Sequence, residues 1–333
     1  MIRFVIFILL LTMLFACSNK TQEELVVYVS EDQVFSEPIL KDFEKKTGIH
    51  VRALYDTEES KSTGVLNKLI AEKENPQADV YWANEPIRAE FLRQKGILAQ
   101  YYSKNAENID ATFRDSEGYW CGFSARARVF ITQKTLQNAP LKIEDYLLEK
   151  YHGKTVIANP LFGSTTAQIA ALFTLWGEKK TKMFMHGLKK NSVKLATSNG
   201  ESADFVAEGR YLFALVDSDD AISRIRAKKQ VKILYPNQAK GDIGCFIIPN
   251  VVMLIKGSKH PKRAKELIDY LLSPQVEEKL AQADCAQIPL HKGLQLASDV
   301  PDIESLHIMQ VDYKKVAQKM QEIVPFLKEW SQK

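Results

Sequence analysis

Apolar residues fall along this chain in short β-branched runs that alternate with stretches of helical spacing, and polar turns separate the two kinds. Residues 25–29 form the first run. Beyond a polar turn, Phe35, Ile39, Leu40 and Phe43 recur at helical spacing up to the stop at Thr47-Gly48, which predicts a helix over 34–45. The pattern repeats as a strand over 49–54, a helix over 63–74 with Val65, Leu66, Leu69 and Ile70 inward, a strand over 78–82 and a helix over 87–95 ended by Gly96. Strands joined by crossover helices imply a parallel sheet, because parallel neighbours need a long connection.

The rhythm carries on through the second half. Tyr119 and Trp120 lead into a strand over 122–131, and beyond Pro140 follow a short helix over 143–148, a strand over 155–158, a helix over 166–175, a strand over 193–195, a helix over 201–208 and strands over 212–216 and 231–234. Residues 246–255 are a long apolar stretch interrupted by Pro249, and a helix over 261–272 follows with Ala264, Leu267, Ile268 and Leu271 on one face. Late return segments of this kind suit two α/β lobes between which the chain passes more than once. A ligand then sits in the crevice outside the strand C-termini.

Composition narrows the class. At 333 residues and 45% hydrophobic, the chain suffices for one large core or two medium ones, and disordered or collagen-like readings fail. Its 45 Lys+Arg and 41 Asp+Glu are interspersed, so no concentrated basic field marks it for nucleic acid. Arg3 is the only charge before an apolar run over 4–15 that ends in Leu14-Phe15-Ala16-Cys17. That run is too short for a membrane-spanning helix, which needs about 20 apolar residues, and it reads as a signal peptide over 1–16. A small residue before Cys17 matches the bacterial lipobox, so Cys17 is expected to carry lipid and 17–24 to be a tethered linker. Cys121, Cys245 and Cys285 remain, widely spaced, as one disulfide or as buried thiols.

Candidate chemistry lies in the polar loops at the strand ends. Ser30-Glu31-Asp32 follows the first strand, a loop with Glu58, Glu59, Ser60 and Thr63 the second, and Asn84-Glu85 the third. Each opens into a helix, so these residues either cap it or meet a ligand at its N-terminus. Ser164, Thr165 and Thr166 place three hydroxyls between a strand and a helix, a setting for phosphate, sulfate, carboxylate or a metal-bound anion. Asp217, Asp219 and Asp220 repel one another unless a cation, an amine or arginines compensate. Arg126 and Arg128 alternate with small apolar residues and share one face of their strand.

Other signals are blander. Trp82, Tyr119 and Trp120 suit a core or a cleft, and the six histidines are scattered. Gly153-Lys154-Thr155 lacks the earlier glycine of a phosphate-binding loop, and there is no G-x-S-x-G elbow and no H-E-x-x-H. An exported α/β enzyme would need a site assembled from scattered residues.

Taken in order, the lipobox at Cys17, Val26-Val27-Tyr28-Val29-Ser30, Phe43-Glu44-Lys45-Lys46-Thr47-Gly48-Ile49, Pro76-Gln77-Ala78-Asp79-Val80-Tyr81-Trp82, Gly122-Phe123-Ser124-Ala125-Arg126-Ala127-Arg128-Val129 and His260-Pro261-Lys262-Arg263-Ala264 resemble the extracellular solute-binding proteins of bacterial ABC importers, in the ferric-iron-binding branch. The resemblance implies a two-lobe α/β periplasmic binding protein fold of type II, with mixed, largely parallel sheets and crossing hinge strands. It implies a first lobe begun by 25–122, a second mainly of 123–245, and return segments with C-terminal helices over 246–333. It further implies a non-catalytic monomer that hands a small solute or metal ion to a permease with its ATPase and meets the membrane only through its lipid.

In ferric-binding relatives a tyrosine pair follows the strand that corresponds to 212–216, and here Asp219 and Asp220 stand in those places. The resemblance therefore implies Fe3+ on Glu31, Glu59, Asp219 and Asp220, with a synergistic anion on the hydroxyls at 164–166. The wider ligand-binding set is Ser30, Asp32, Ser60, Thr63, Arg126, Ser164, Thr165, Thr166 and Asp217. The same acids equally suit the ammonium of a zwitterion whose phosphonate or phosphate ester meets the hydroxyls and arginines.

Overall fold

The structure is a computed structural model that describes residues 24–56, 64–294 and 296–332. Strand β1 (Glu24–Val29) is apolar and pairs in parallel with β2 (His50–Tyr55) and with β3 (Val80–Ala83). Helix α1 (Gln33–Thr47) makes the first crossover, burying Ile39, Leu40 and Phe43, and ends where Gly48 takes φ 72° and returns its N–H to Glu44 O. Helix α2 (Gly64–Ala71) stops short of the expected 74, because residues 72–75 turn. Helix α3 (Pro86–Gln94) and the two-residue β4 (Leu98–Ala99) complete this part.

Strand β5 (Cys121–Gln133), thirteen residues long, decides the architecture. After it come β6 (Thr155–Ala158), α4 (Gly163–Lys190), β7 (Lys194–Ala196), α5 (Asn199–Ala207), β8 (Phe213–Asp217), α6 (Ser218–Arg226), β9 (Val231–Leu234), β10 (Ile247–Ile255), α7 (Pro261–Leu271), α8 (Pro274–Gln282) and α9 (Tyr313–Gln332). The first half of β5 pairs antiparallel with β10, from Cys121 to Ala127, and β10 pairs onward with β3. Its second half pairs with β8 on one side and β9 on the other, and β8 continues to β6 and β7 in parallel. One strand thus belongs to two sheets, and the late segment β10 returns to the first of them. This is the two-lobed α/β architecture with a mixed, partly parallel sheet.

Two local expectations change, and of the two readings of the cysteines one holds. Pro249 does not interrupt its stretch: a register shift at Pro249 and Asn250 absorbs it, and β10 is continuous. The helix expected over 166–175 is the front half of α4, which breaks at Gly177 (φ 77°, ψ 171°) and resumes to Lys190. Its lysine-rich continuation has too weak an apolar stripe to stand out. Cys121, Cys245 and Cys285 are buried free thiols, so among the described residues no disulfide forms.

Gly122 is dictated by the crossing. A Cβ there would lie 2.7 Å from Phe113 O and 3.1 Å from Pro249 Cβ. In the second sheet Phe130, Tyr146, Tyr151 and Phe213 pack in tilted and edge-to-face contacts, with centroids 4.8–5.9 Å apart. Trp82 and Trp120 are buried in the core. No helix among the described residues is long and apolar enough to cross a membrane.

Candidate functional site

Strand ends from both sheets converge on the strand they share. Arg128 of β5 is fully buried and stands opposite Asp217, the last residue of β8. Its Nη1 donates to Asp217 Oδ1 (2.8 Å), Ser164 Oγ (3.0 Å) and Asn199 Oδ1 (3.0 Å), and its Nη2 to Leu215 O (3.1 Å) and Thr165 Oγ1 (3.3 Å). Ser164 donates to Asp217 Oδ2 at 2.7 Å, and Asn199 Nδ2 donates to Ser164 Oγ at 2.8 Å. The heads of α4 and α5 and the end of β8 are therefore fastened to one guanidinium. Burial would raise the Asp217 carboxyl, but Arg128 and Arg126 outweigh it and hold the group below the usual carboxylate range.

Two residues further, the balance reverses. Asp219 and Asp220 occupy the first turn of α6, and carboxylate oxygens of Asp217, Asp219 and Asp220 lie within 4.8 Å of one another. Among the described residues no other group of His, Cys, Asp and Glu is spaced to hold a metal ion. Burial, opposed by Arg126 and reinforced by Asp217, pushes the Asp219 carboxyl up to about 6, and Asp32 from beyond β1 adds to the rise. Burial together with Asp219 and Asp217 pushes Asp220 higher still, against the pull of Arg224. Burial is the larger cause for both acids, and repulsion within the cluster adds to it.

Arg126, on the same face of β5 as Arg128, spans the gap. Its Nη2 donates to Asn84 O (2.7 Å) at the end of β3, and its Nη1 lies 3.8 Å from Asp217 Oδ2. Burial disfavours its charge, yet Asp217 and Asp219 on one side and Glu31 and Glu85 on the other hold it firmly protonated. Arg126 Nε and Asn84 Oδ1 are buried without a hydrogen-bond partner. One donor and one acceptor are thus left for something that enters between the two sheets.

The expected residues divide. Glu31, Asp32, Arg126, Asp217, Asp219 and Asp220 come together, and Glu31 accepts from Gln287 Nε2 at 2.9 Å. Ser30, by contrast, turns its hydroxyl to Tyr81 Oη (2.8 Å) and Asp56 inside the first sheet's core. The hydroxyls of Ser164 and Thr165 serve Arg128, Asp217 and Asn199 within the fold, and Thr166 Oγ1 is buried with no partner. The hydroxyls of Ser164 and Thr165 are thus already engaged within the fold, unlike the free donors expected there. Glu59, Ser60, Thr63 and Cys17 lie outside the described residues. Sequence reasoning placed Asn84 in a candidate loop without assigning it to the site, and missed Asn199 and Gln287. The two asparagines end strand-to-helix turns, where Asn is ordinary, and nothing local marks Gln287.

Comparison with known proteins places this geometry. The family described as "Bacterial extracellular solute-binding protein" matches residues 39–307. A periplasmic protein of Salmonella typhimurium named for 2-aminoethylphosphonate binding is 27% identical over 261 residues, 78% of this chain and 73% of that one. Iron uptake protein A1 of Synechocystis is 25% identical over 307 residues, 86% of this chain and 83% of that one. Among solved structures, the Trichodesmium protein in complex with iron and citrate superposes with TM-score 0.82 at 22% identity, covering 93% of this chain and all of that one. The ferric binding protein of Campylobacter jejuni gives 0.81 at 22% identity over 92% of this chain and 99% of that one. The family match spans most of the chain and agrees with two sheets sharing a strand beside a buried, charged and incompletely satisfied cluster: the chain belongs to the bacterial extracellular solute-binding proteins, which bind rather than transform their solutes.

Proposed function

We propose that this chain is the solute-binding component of an ABC importer and that its cargo is ferric iron held together with an anion. The observation that carries this reading is the cluster of Asp217, Asp219 and Asp220, whose carboxylate oxygens lie within 4.8 Å of one another, with burial raising the last two. A cation replaces the protons there, and carboxylates are the hard oxygen ligands that ferric iron prefers. Glu31 faces the same space from the first sheet, and Glu59 is proposed as a further ligand. Arg126, with Nε unpartnered beside Asn84 Oδ1, offers the counter-charge for a co-bound anion. The iron-named relatives support the choice.

One observation favours a second cargo. The acids and Arg126 stand side by side, so a zwitterion could place its ammonium on Asp219 and Asp220 and its phosphonate on Arg126. The Salmonella typhimurium relative is named for such a compound.

Either cargo works through the same cycle. Ligand groups divided between the sheets favour the closed form, since only closure satisfies all of them. An exported protein tethered through lipid on Cys17 would then deliver its solute to a permease driven by a separate ATPase. The test is native mass spectrometry with metal analysis on protein purified without chelator. About one equivalent of iron, lost on unfolding, is expected. A small organic mass without metal establishes the second cargo, and neither species after supply of ferric citrate and 2-aminoethylphosphonate overturns both.

A further inference from the structure

A line of buried amides leads from the middle of the first sheet to Glu31. Trp82, Asn250 and Gln287 are each fully buried, on β3, on β10 and in the segment beyond α8. Trp82 Nε1 donates to Asn250 Oδ1 (3.0 Å). Asn250 Nδ2 donates to Gln287 Oε1 (2.8 Å) and to Ser124 O on β5 (2.7 Å), and Gln287 Nε2 donates to Glu31 Oε1 (2.9 Å).

The line has a compulsory direction. An indole N–H donates and never accepts, so the Asn250 oxygen must face Trp82 and its amino group must face Gln287 and Ser124. Gln287 is then obliged to meet Asn250 with its oxygen and Glu31 with its amino group. Reversing either amide would set two donors or two acceptors against each other in a dry interior, which leaves buried polar atoms unpaired. Glu31 consequently receives a fixed N–H donor, an interaction strongest with the ionised carboxylate. The line also ties Glu31 to the carbonyl of Ser124, which takes φ 42° within the strand common to both sheets.

We propose that Gln287, its amide set by Trp82 through Asn250, is a positioning residue that holds the Glu31 carboxyl in place and aimed at the positive centre of the cargo. This deepens the proposed function and rests on it, because it assigns Glu31 to the cargo site. Gln287 touches no solute itself. It acts by removing Glu31's freedom to rotate away or to point its carboxyl at another donor before the solute arrives, and preorganisation of that kind adds to affinity.

The test is a double-mutant cycle on the mature protein, with Glu31→Gln, Gln287→Met and the pair, read by calorimetric titration with ferric citrate and with 2-aminoethylphosphonate. Glu31→Gln and Gln287→Met are each expected to weaken binding by about tenfold or more, as loss of a hydrogen bond to a charged group does. The pair should be no weaker than the worse single variant, because both changes remove one device. Unchanged affinity in Gln287→Met, or losses that multiply in the pair, would overturn the proposal. If the unmodified protein binds neither probe, the cargo reading fails instead, and the two failures are thereby distinguished.

Should Gln287→Met not fold, Gln287→Glu has the same shape and carries the test. It removes the N–H donor and sets an oxygen against Glu31, so binding of the probe weakened as in Glu31→Gln, with the melting temperature of the empty protein retained, supports the proposal. Unchanged affinity overturns it.

Discussion

Arg128 and Asp217 stand directly opposite each other on β5 and β8, and their side chains close a 2.8 Å ion pair sealed from solvent. A pair so buried contributes little net stability, but either half alone is a stranded charge. Arg128→Met and Asp217→Asn are each expected to cost about 3–5 kcal/mol in denaturant unfolding. The double variant should recover part of that loss. Additive losses would show that the two groups act separately.

The neighbouring acids behave oppositely. Asp219→Asn with Asp220→Asn removes repelling charges from the empty protein, so its melting temperature should rise while cargo binding disappears. Unaltered affinity in this folded variant would remove Asp219 and Asp220 from the site.

The sign of the pH dependence follows from Asp219, whose carboxyl is held up at about 6, above its ordinary 3.8. The folded, empty protein keeps this proton longer than the unfolded chain does. The associated stability is fully present below about pH 4 and is lost as pH rises through 6. Cargo affinity should run the other way and strengthen over the same interval, with protons released on binding. Calorimetry in buffers of different ionisation enthalpy measures that release, and its absence between about pH 4 and 6 would contradict the assignment.

Glu277 of α8, fully buried, accepts from Ser124 N (2.5 Å), Leu290 N (2.9 Å), His291 N (2.8 Å) and His291 Nδ1 (2.6 Å). Burial opposes charge on His291, but Glu277 outweighs it and raises the imidazole above its ordinary range. Stability from this pair is complete below the ordinary histidine value and fades as pH climbs through the raised one. Glu277→Gln should cost about 3 kcal/mol and flatten that alkaline slope, as followed by thermal melts across pH.

Gly122→Ala tests the crossing of β5 and β10. The added methyl meets a backbone oxygen at 2.7 Å, an atom that cannot swing aside. A loss of about 2 kcal/mol or more is expected from the forced backbone shift, whereas Gly96→Ala, with open space around its Cβ position, tests only left-handed backbone strain.

Local pattern made most of the fold legible, because strands such as 155–158 are short, wholly buried apolar runs and helices such as α1 bury one-sided apolar stripes. The second half of α4 escaped because lysines dominate it beyond Gly177. Within the site, acids at strand ends stood out as charge clusters. Gln287 and Asn250 did not, since a buried amide differs from a surface one only in its neighbours. The hydroxyls at 164–166 were readable as polar but not as already occupied, because their partner Arg128 lies 36 and 37 residues away.

Because β5 is a member of both sheets, any rotation of one sheet against the other bends that ribbon where its pairing changes hands, between Ala127 and Arg128, together with the return passage through 235–246. The ladders on either side can travel as intact bodies. Substitutions there should alter how fast the jaws swing more than what they grip, and substitutions at Asp219 or Asp220 should do the converse.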